Sequence, residues 1–289
     1  MNRIAGAPIS WGVCEVPGWG HQLEAGRVLA EMRELGLAAT EFGPDGFLPA
    51  DPVARGALLA AYGLEPVGGF VPVVLHDPGH DPLPEVDRAL DSFGTAGSLV
   101  LAAATGRDGY DDRPVLDAQA WRTLLAHLDA IAAHAAGRGV QATLHPHVGT
   151  VIERYDEVHR VLDGSRIPLC LDTGHLLIGG TDPLELARTA AGRIAHAHLK
   201  DVDAGLAGRV RAGELTYTQA VAAGMYRPLG AGDVDIAGIV GALEDGGYQG
   251  WYVMEQDTVL SAEPGPGAGP AADVRASVAF LAGLAGVSA

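Results

Sequence analysis

Two short apolar runs between residues 168 and 201 end in groups that can do chemistry. PLCLDTGH delivers Asp172 and His175, and RIAHAHLKD delivers His198, Lys200 and Asp201. Strands that stop where acids and imidazoles begin bring those groups to one rim, and a carboxylate converging with imidazoles suits a divalent cation bound by mixed oxygen and nitrogen donors. Blander roles compete with this one: Asp172 is placed to cap the following turn, and His198 to be a hydrogen-bonded core histidine.

These strand ends have counterparts along the chain. Residues 4–9 predict a first strand and 23–35 a helix stopped by Gly36. Residues 38–42 predict a second strand carrying Glu41, Asp51 caps a helix through residue 61, and 65–75 predict a third strand ending in His76 and Asp77. A fourth strand starts at residue 98, and apolar residues recur at helical spacing over 115–136. The fifth strand, 140–144, runs into His145 and His147; the sixth covers 168–171, the seventh 193–199, and the eighth, 250–254, ends at Glu255. Residues 202–232 are too long for a simple connection and are expected to form a loop covering the active site. A proline- and glycine-rich linker over 263–273 leads to a last helix over 273–284.

Eight strands alternating with about eight helices predict an α/β fold with a parallel sheet, closed as a (β/α)8 TIM barrel and filling residues 1–289 as a single domain. An open doubly wound sheet is the alternative, but no strand here leads into a GxGxxG turn. Barrel active sites lie at the C-terminal ends of the strands. That rule alone selects Glu41, His76, His145, His147, Asp172, His175, His198, Lys200 and Glu255.

Composition narrows the function classes. A 289-residue chain with 48% hydrophobic content can bury a large core. Its formal net charge of -17 argues against a phosphate-backbone partner, so no nucleic acid is expected. The two cysteines do not form a secreted disulfide framework and fit a reducing, cytoplasmic setting. No basic-then-apolar leader opens the chain and no run approaches a membrane span, so a soluble, unexported protein is expected.

The segments ISWGVCEVPGWG, TEFGPDGFLP, LHPHVGTVIE, LCLDTGHL, HAHLKDV, PLGAGDVD and GYQGWYVMEQD, in this order, resemble the sugar phosphate isomerase and epimerase superfamily of xylose isomerase-like barrels, and within it the inosose (2-keto-myo-inositol) dehydratases. The resemblance implies a divalent metal held after strands five to eight, roles that fall to His145, Asp172, His198 and Glu255. His145 stands where the superfamily commonly has glutamate, and His147 competes for the same role. Manganese or cobalt suits this mixed set best, with magnesium or zinc as alternatives, and calcium is disfavoured because it prefers all-oxygen cages.

The same resemblance implies a small keto-sugar or polyol substrate, inositol catabolism as the setting and a possible homo-oligomer. It leaves glutathione dependence open, since no residue here shows a site for it. Related ketose epimerases place glutamates on opposite sides of one carbon, and the histidine at position 145 puts that arrangement in doubt. Dehydration needs one base, one acid and a stabilised enolate, which imidazoles and a metal can supply. On this reading His147 and His175 contact substrate or move protons, Lys200 offers positive charge, and Glu255 takes part in catalysis as well as metal binding. Glu41 orients substrate, Arg227 reaches over it, Trp11 and Trp19 wall the pocket, and Asp201 orients Lys200 or a ligand histidine. Plain packing for the tryptophans, a barrel-mouth polar role for Glu41 and a solvated loop charge for Arg227 are the alternatives. A sugar or sugar-phosphate isomerase or epimerase is the nearest rival, with a metal-dependent endonuclease or a non-catalytic sugar-binding barrel further off.

Overall fold

SLVLAAA is buried along almost its whole length, as a parallel strand covered on both faces must be. In the computed structural model, which describes residues 3–107, 109–110 and 112–284, it is β5 (Ser98–Ala104) of a nine-segment parallel sheet. The others are β1 (Ile4–Gly6), β2 (Ala39–Thr40), β3 (Glu65–Pro66), β4 (Gly68–Val74), β6 (Gln141–Leu144), β7 (Leu169–Asp172), β8 (Ile194–Leu199) and, after the short β9 (Asp201–Val202) and β10 (Tyr226–Arg227), β11 (Tyr252–Met254). The order β3-β2-β1-β11-β8-β7-β6-β5-β4 leaves β3 and β4 as its two edges.

Those edges are one stretch of chain. The Val67 N–H donates to the Thr40 carbonyl, while the Ser98 N–H donates to the Val67 carbonyl. The ladder therefore closes through Val67, and the eight staves read from the sequence form a closed (β/α)8 barrel. The expected third strand, 65–75, is split at this point. Gly68 adopts φ +153°, and a Cβ there would stand 1.7 Å from the Ser98 carbonyl oxygen, so only glycine lets the chain turn from one neighbour to the other. The first strand is also shorter than expected, because Pro8 opens a 3-10 turn over Pro8–Trp11.

Helices α1 (Ala25–Glu34), α2 (Pro52–Ala61), α3 (Leu83–Ser92), α4 (Ala118–Gly137), α5 (Tyr155–Gly164), α6 (Thr173–Gly179) and α7 (Pro183–Thr189) alternate with the staves. As expected, Asp51 caps α2, its carboxylate accepting from the Ala54 N–H, and Gly36 follows α1 at φ +79°. On α4, Trp121, Leu124, Leu128, Ile131 and Ala135 form one buried stripe against the sheet.

The excursion over 202–232 is ordered chain. It forms α8 (Ala204–Arg211) and α9 (Tyr217–Ala222), and β10 returns antiparallel to β9. Asp201 clamps that return by accepting from the N–H groups of Gly230, Gly232 and Val234. Helices α10 (Ile236–Asp245) and α11 (Pro270–Ala282) complete the ring. Among the described residues, no helix is long and apolar enough to cross a membrane.

Candidate metal centre

Alternation along a strand sends every second side chain into the barrel, and register decides which of them meet. Asp172, the last residue of β7, pairs with His198 of β8, and Val253 of β11 pairs with His198 from the other side. His145 follows β6 directly and Glu255 follows β11 directly. Four staves in succession thus bring His145, Asp172, His198 and Glu255 together. One donor atom from each lies within 4.8 Å of the others.

Nε2 of His145 stands 3.3 Å from Oδ2 of Asp172 and 3.2 Å from Nδ1 of His198. That Nδ1 is 3.5 Å from Oδ2 of Asp172 and 2.7 Å from Oε2 of Glu255, the last out of hydrogen-bonding alignment. Donors about 2.0–2.1 Å from a tetrahedral cation are about 3.3 Å apart, so the spacing is that of a coordination shell. Charge points the same way. Asp172, Glu255 and Asp257 are three carboxylates around one ammonium, Lys200, and a fourth, Glu41, pairs with His198. Burial opposes charge on His198, but Cys170, Glu41 and Glu255 outweigh it and hold the imidazole well above the ordinary histidine pKa. A dication would take over that proton's place. The residues fit a divalent metal.

Asp172 performs two tasks at once. Its Oδ1 caps α6, accepting from the N–H groups of Gly174 and His175, while Oδ2 faces the imidazoles. The two roles that compete in the sequence are taken by its two oxygens. Burial raises its pKa, but Lys200, His175 and the hydrogen bonds from His145 and His198 hold it well below the usual carboxylate range.

Glu41 lies behind His198. Its Oε1 accepts at 2.9 Å from Nε2 of both His198 and His196, which puts a proton on the far nitrogen of His198 and leaves Nδ1 a lone pair for the cation. Glu41 also lines the pocket. Glu41→Gln removes the charge that fixes this tautomer, and a 10- to 100-fold loss of manganese affinity, read by calorimetric titration, is the expected outcome.

The centre opens into a cavity of about 800 Å³ at the C-terminal mouth. His147 lines it, pushed down to about 3 by burial and by the neighbouring His145 and Lys200. It is a neutral imidazole whose Nδ1 donates to the Val148 carbonyl at 2.7 Å, leaving Nε2 as an acceptor. His175 lies against it, with ring centroids 3.7 Å apart and planes tilted by 34°, but is almost fully buried, as is Lys200. Lys200 reaches His175 Nε2 at 3.1 Å, Glu255 at 3.4 Å and Asp257 at 2.6 Å. Burial disfavours its charge, yet Asp257, Glu255 and Asp172 hold its pKa well above the ordinary lysine value.

Three expected site residues lie elsewhere. Trp11 is fully buried, with its indole N–H spent on Glu31 at 2.8 Å, and Trp19 is the tryptophan that lines the cavity. Arg227 points to solvent and pairs with Asp203 at 3.3 Å. Asp201 is occupied by the backbone of the excursion. Two residues not singled out as site residues in the sequence do belong: Asp257, which lines the cavity, and Tyr217, whose hydroxyl donates to Asp257 at 2.6 Å. Asp257 stands at i+2 from Glu255, a spacing that signals a shared side. Tyr217 carries no such mark.

Residues 29–284 match the family described as xylose isomerase-like TIM barrel. The rhizopine catabolism protein MocC of Rhizobium meliloti is 33% identical over 267 residues, spanning 88% of this chain and 81% of its own length. The inosose dehydratase of Geobacillus kaustophilus is 32% identical over 275 residues, spanning 88% and 87%. A solved L-ribulose 3-epimerase shares the fold, with a TM-score of 0.67 at 18% identity over 97% of this chain and 93% of its own.

Proposed function

Because this chain belongs to the xylose isomerase-like TIM barrel family, we propose that it is a divalent-metal-dependent hydro-lyase that removes water from a keto-cyclitol of the 2-keto-myo-inositol type. The observation that carries this reading is the convergence of His145, Asp172, His198 and Glu255, of which His145, His198 and Glu255 line the cavity. Relatives named inosose dehydratase, about 30% identical over most of their length, point to the substrate class.

A cation held by these four residues supplies Lewis acidity towards a ketone oxygen and the negative charge that develops there. The chain's own groups do the rest. His147 presents an unprotonated Nε2 to the cavity and takes the proton next to the carbonyl, and the imidazolium so formed returns that proton to the departing hydroxyl, which leaves as water while the carbon–carbon double bond forms. Lys200, one shell back, adds positive charge beneath Asp172 and Glu255, and His175 buttresses the ring of His147. An epimerase needs bases on both faces of one carbon. Here the imidazole of His145 is turned onto Asp172 and His198, and Glu255 is turned onto His198, which favours elimination with His147 as the single base.

Metal-stripped protein reloaded with manganese or cobalt is expected to convert 2-keto-myo-inositol to a dehydrated dione, followed by NMR in heavy water. Deuterium entering next to the carbonyl with every hydroxyl retained would replace the lyase reading with an isomerase or epimerase. No reaction with fully loaded protein would remove this substrate class.

A further inference from the structure

Below the four-residue centre the barrel holds a sulfur. We propose that His145, Cys170 and His198 form a second cation position that takes thiophilic dications, such as zinc or cadmium, in competition with the oxygen-rich position above it. Cys170 precedes Asp172 by two residues on β7, so both side chains face the barrel interior, with the thiol about 6–7 Å deeper along the strand. Register pairs Cys170 with His196 just as it pairs Asp172 with His198, which makes the sulfur part of the layer beneath.

Donor atoms of His145, Cys170 and His198 all lie within 4.8 Å of one another, and all three residues are buried. Cys170 is in no disulfide. One ring nitrogen of His145, Nδ1, is buried without a hydrogen-bond partner, so this histidine has unspent donor capacity in the cluster. A thiolate and two imidazoles select zinc or cadmium, whereas two carboxylates and two imidazoles suit manganese or magnesium. The two positions share His145 and His198, so filling one excludes the other. Binding at the sulfur expels the thiol proton to solvent as the cation enters. The chain can thereby be held in a soft-metal form in which Asp172 and Glu255 are left without their cation.

Cys14, the only other cysteine, lies at the cavity wall, so the test uses the Cys14→Ser protein, in which any sulfur signal comes from Cys170. Metal-stripped protein titrated with cadmium is expected to develop a thiolate-to-cadmium charge-transfer band in the ultraviolet that saturates at stoichiometric metal. Adding Cys170→Ser is expected to abolish the band and weaken cadmium binding at least about tenfold, with manganese affinity changed by less than about twofold. Cadmium binding without the band, no cadmium binding, or a band that survives Cys170→Ser overturns the proposal. Should the double variant fail to fold, the Cys14→Ser protein alone decides: manganese, which would share His145 and His198, is expected to erase the cadmium band as it saturates, and a band that persists under saturating manganese overturns the proposal.

Discussion

Asp172→Asn is expected to abolish measurable manganese binding in the micromolar range and to lower kcat/KM by roughly a thousandfold or more, with the fold retained. The two oxygens of Asp172 explain the separation. Oδ1 accepts from the N–H groups of Gly174 and His175 at 2.9 and 2.8 Å, and an asparagine carbonyl can go on doing so. Oδ2 stands 3.3 Å from His145, 3.5 Å from His198 and 3.7 Å from Lys200. There the amide NH2 would meet two imidazoles and an ammonium, with no lone pair for a cation. Asp172→Ala loses the cap as well, at a further cost of about 1 kcal/mol, so the asparagine variant is the cleaner probe. Calorimetric metal titration beside a thermal melt separates the two effects. Wild-type manganese affinity in a folded Asp172→Asn protein would move the cation away from this centre.

Much of this centre was legible in the chain because strand ends in a barrel share one rim. Asp172 and His198 stand out by their place after apolar runs, and the rim rule adds His145 and Glu255. What lies one shell away is less legible. Glu41 is marked by its strand end, but its partnership with His196 and His198 depends on a crossing between β2 and β8 that linear spacing does not encode. Lys200 and His175 read as groups at the rim, yet burial beneath Tyr217 and Tyr226 keeps them out of the cavity. Those tyrosines arrive on the excursion, whose helices do announce themselves: Asp203 caps α8, and Thr216 with Gln219 forms a capping box on α9. The excess length hid these signals behind the expectation of a loop. The break at Val67 was hidden for a different reason, because the apolar pattern runs on unaltered through a glycine whose φ alone records the turn.

Lys200→Met tests the charge balance beneath the centre, and its two readouts should move in opposite directions. The ammonium is buried among Asp172, Glu255 and Asp257, 2.6 Å from the last, and methionine of similar volume leaves three carboxylates without it. Breaking such a pair from one side typically costs about 3–5 kcal/mol, so metal-free protein should melt at a markedly lower temperature. Removing a positive charge this close to Asp172 and Glu255 strengthens their attraction for a dication. The variant should therefore bind manganese more tightly than wild type and recover more of its melting temperature when loaded. Turnover should still fall by about a hundredfold or more, because the developing oxyanion loses the second positive charge behind the cation. A variant that binds manganese more weakly than wild type would show that Lys200 holds the ligands in place. One that turns over normally would confine Lys200 to stability.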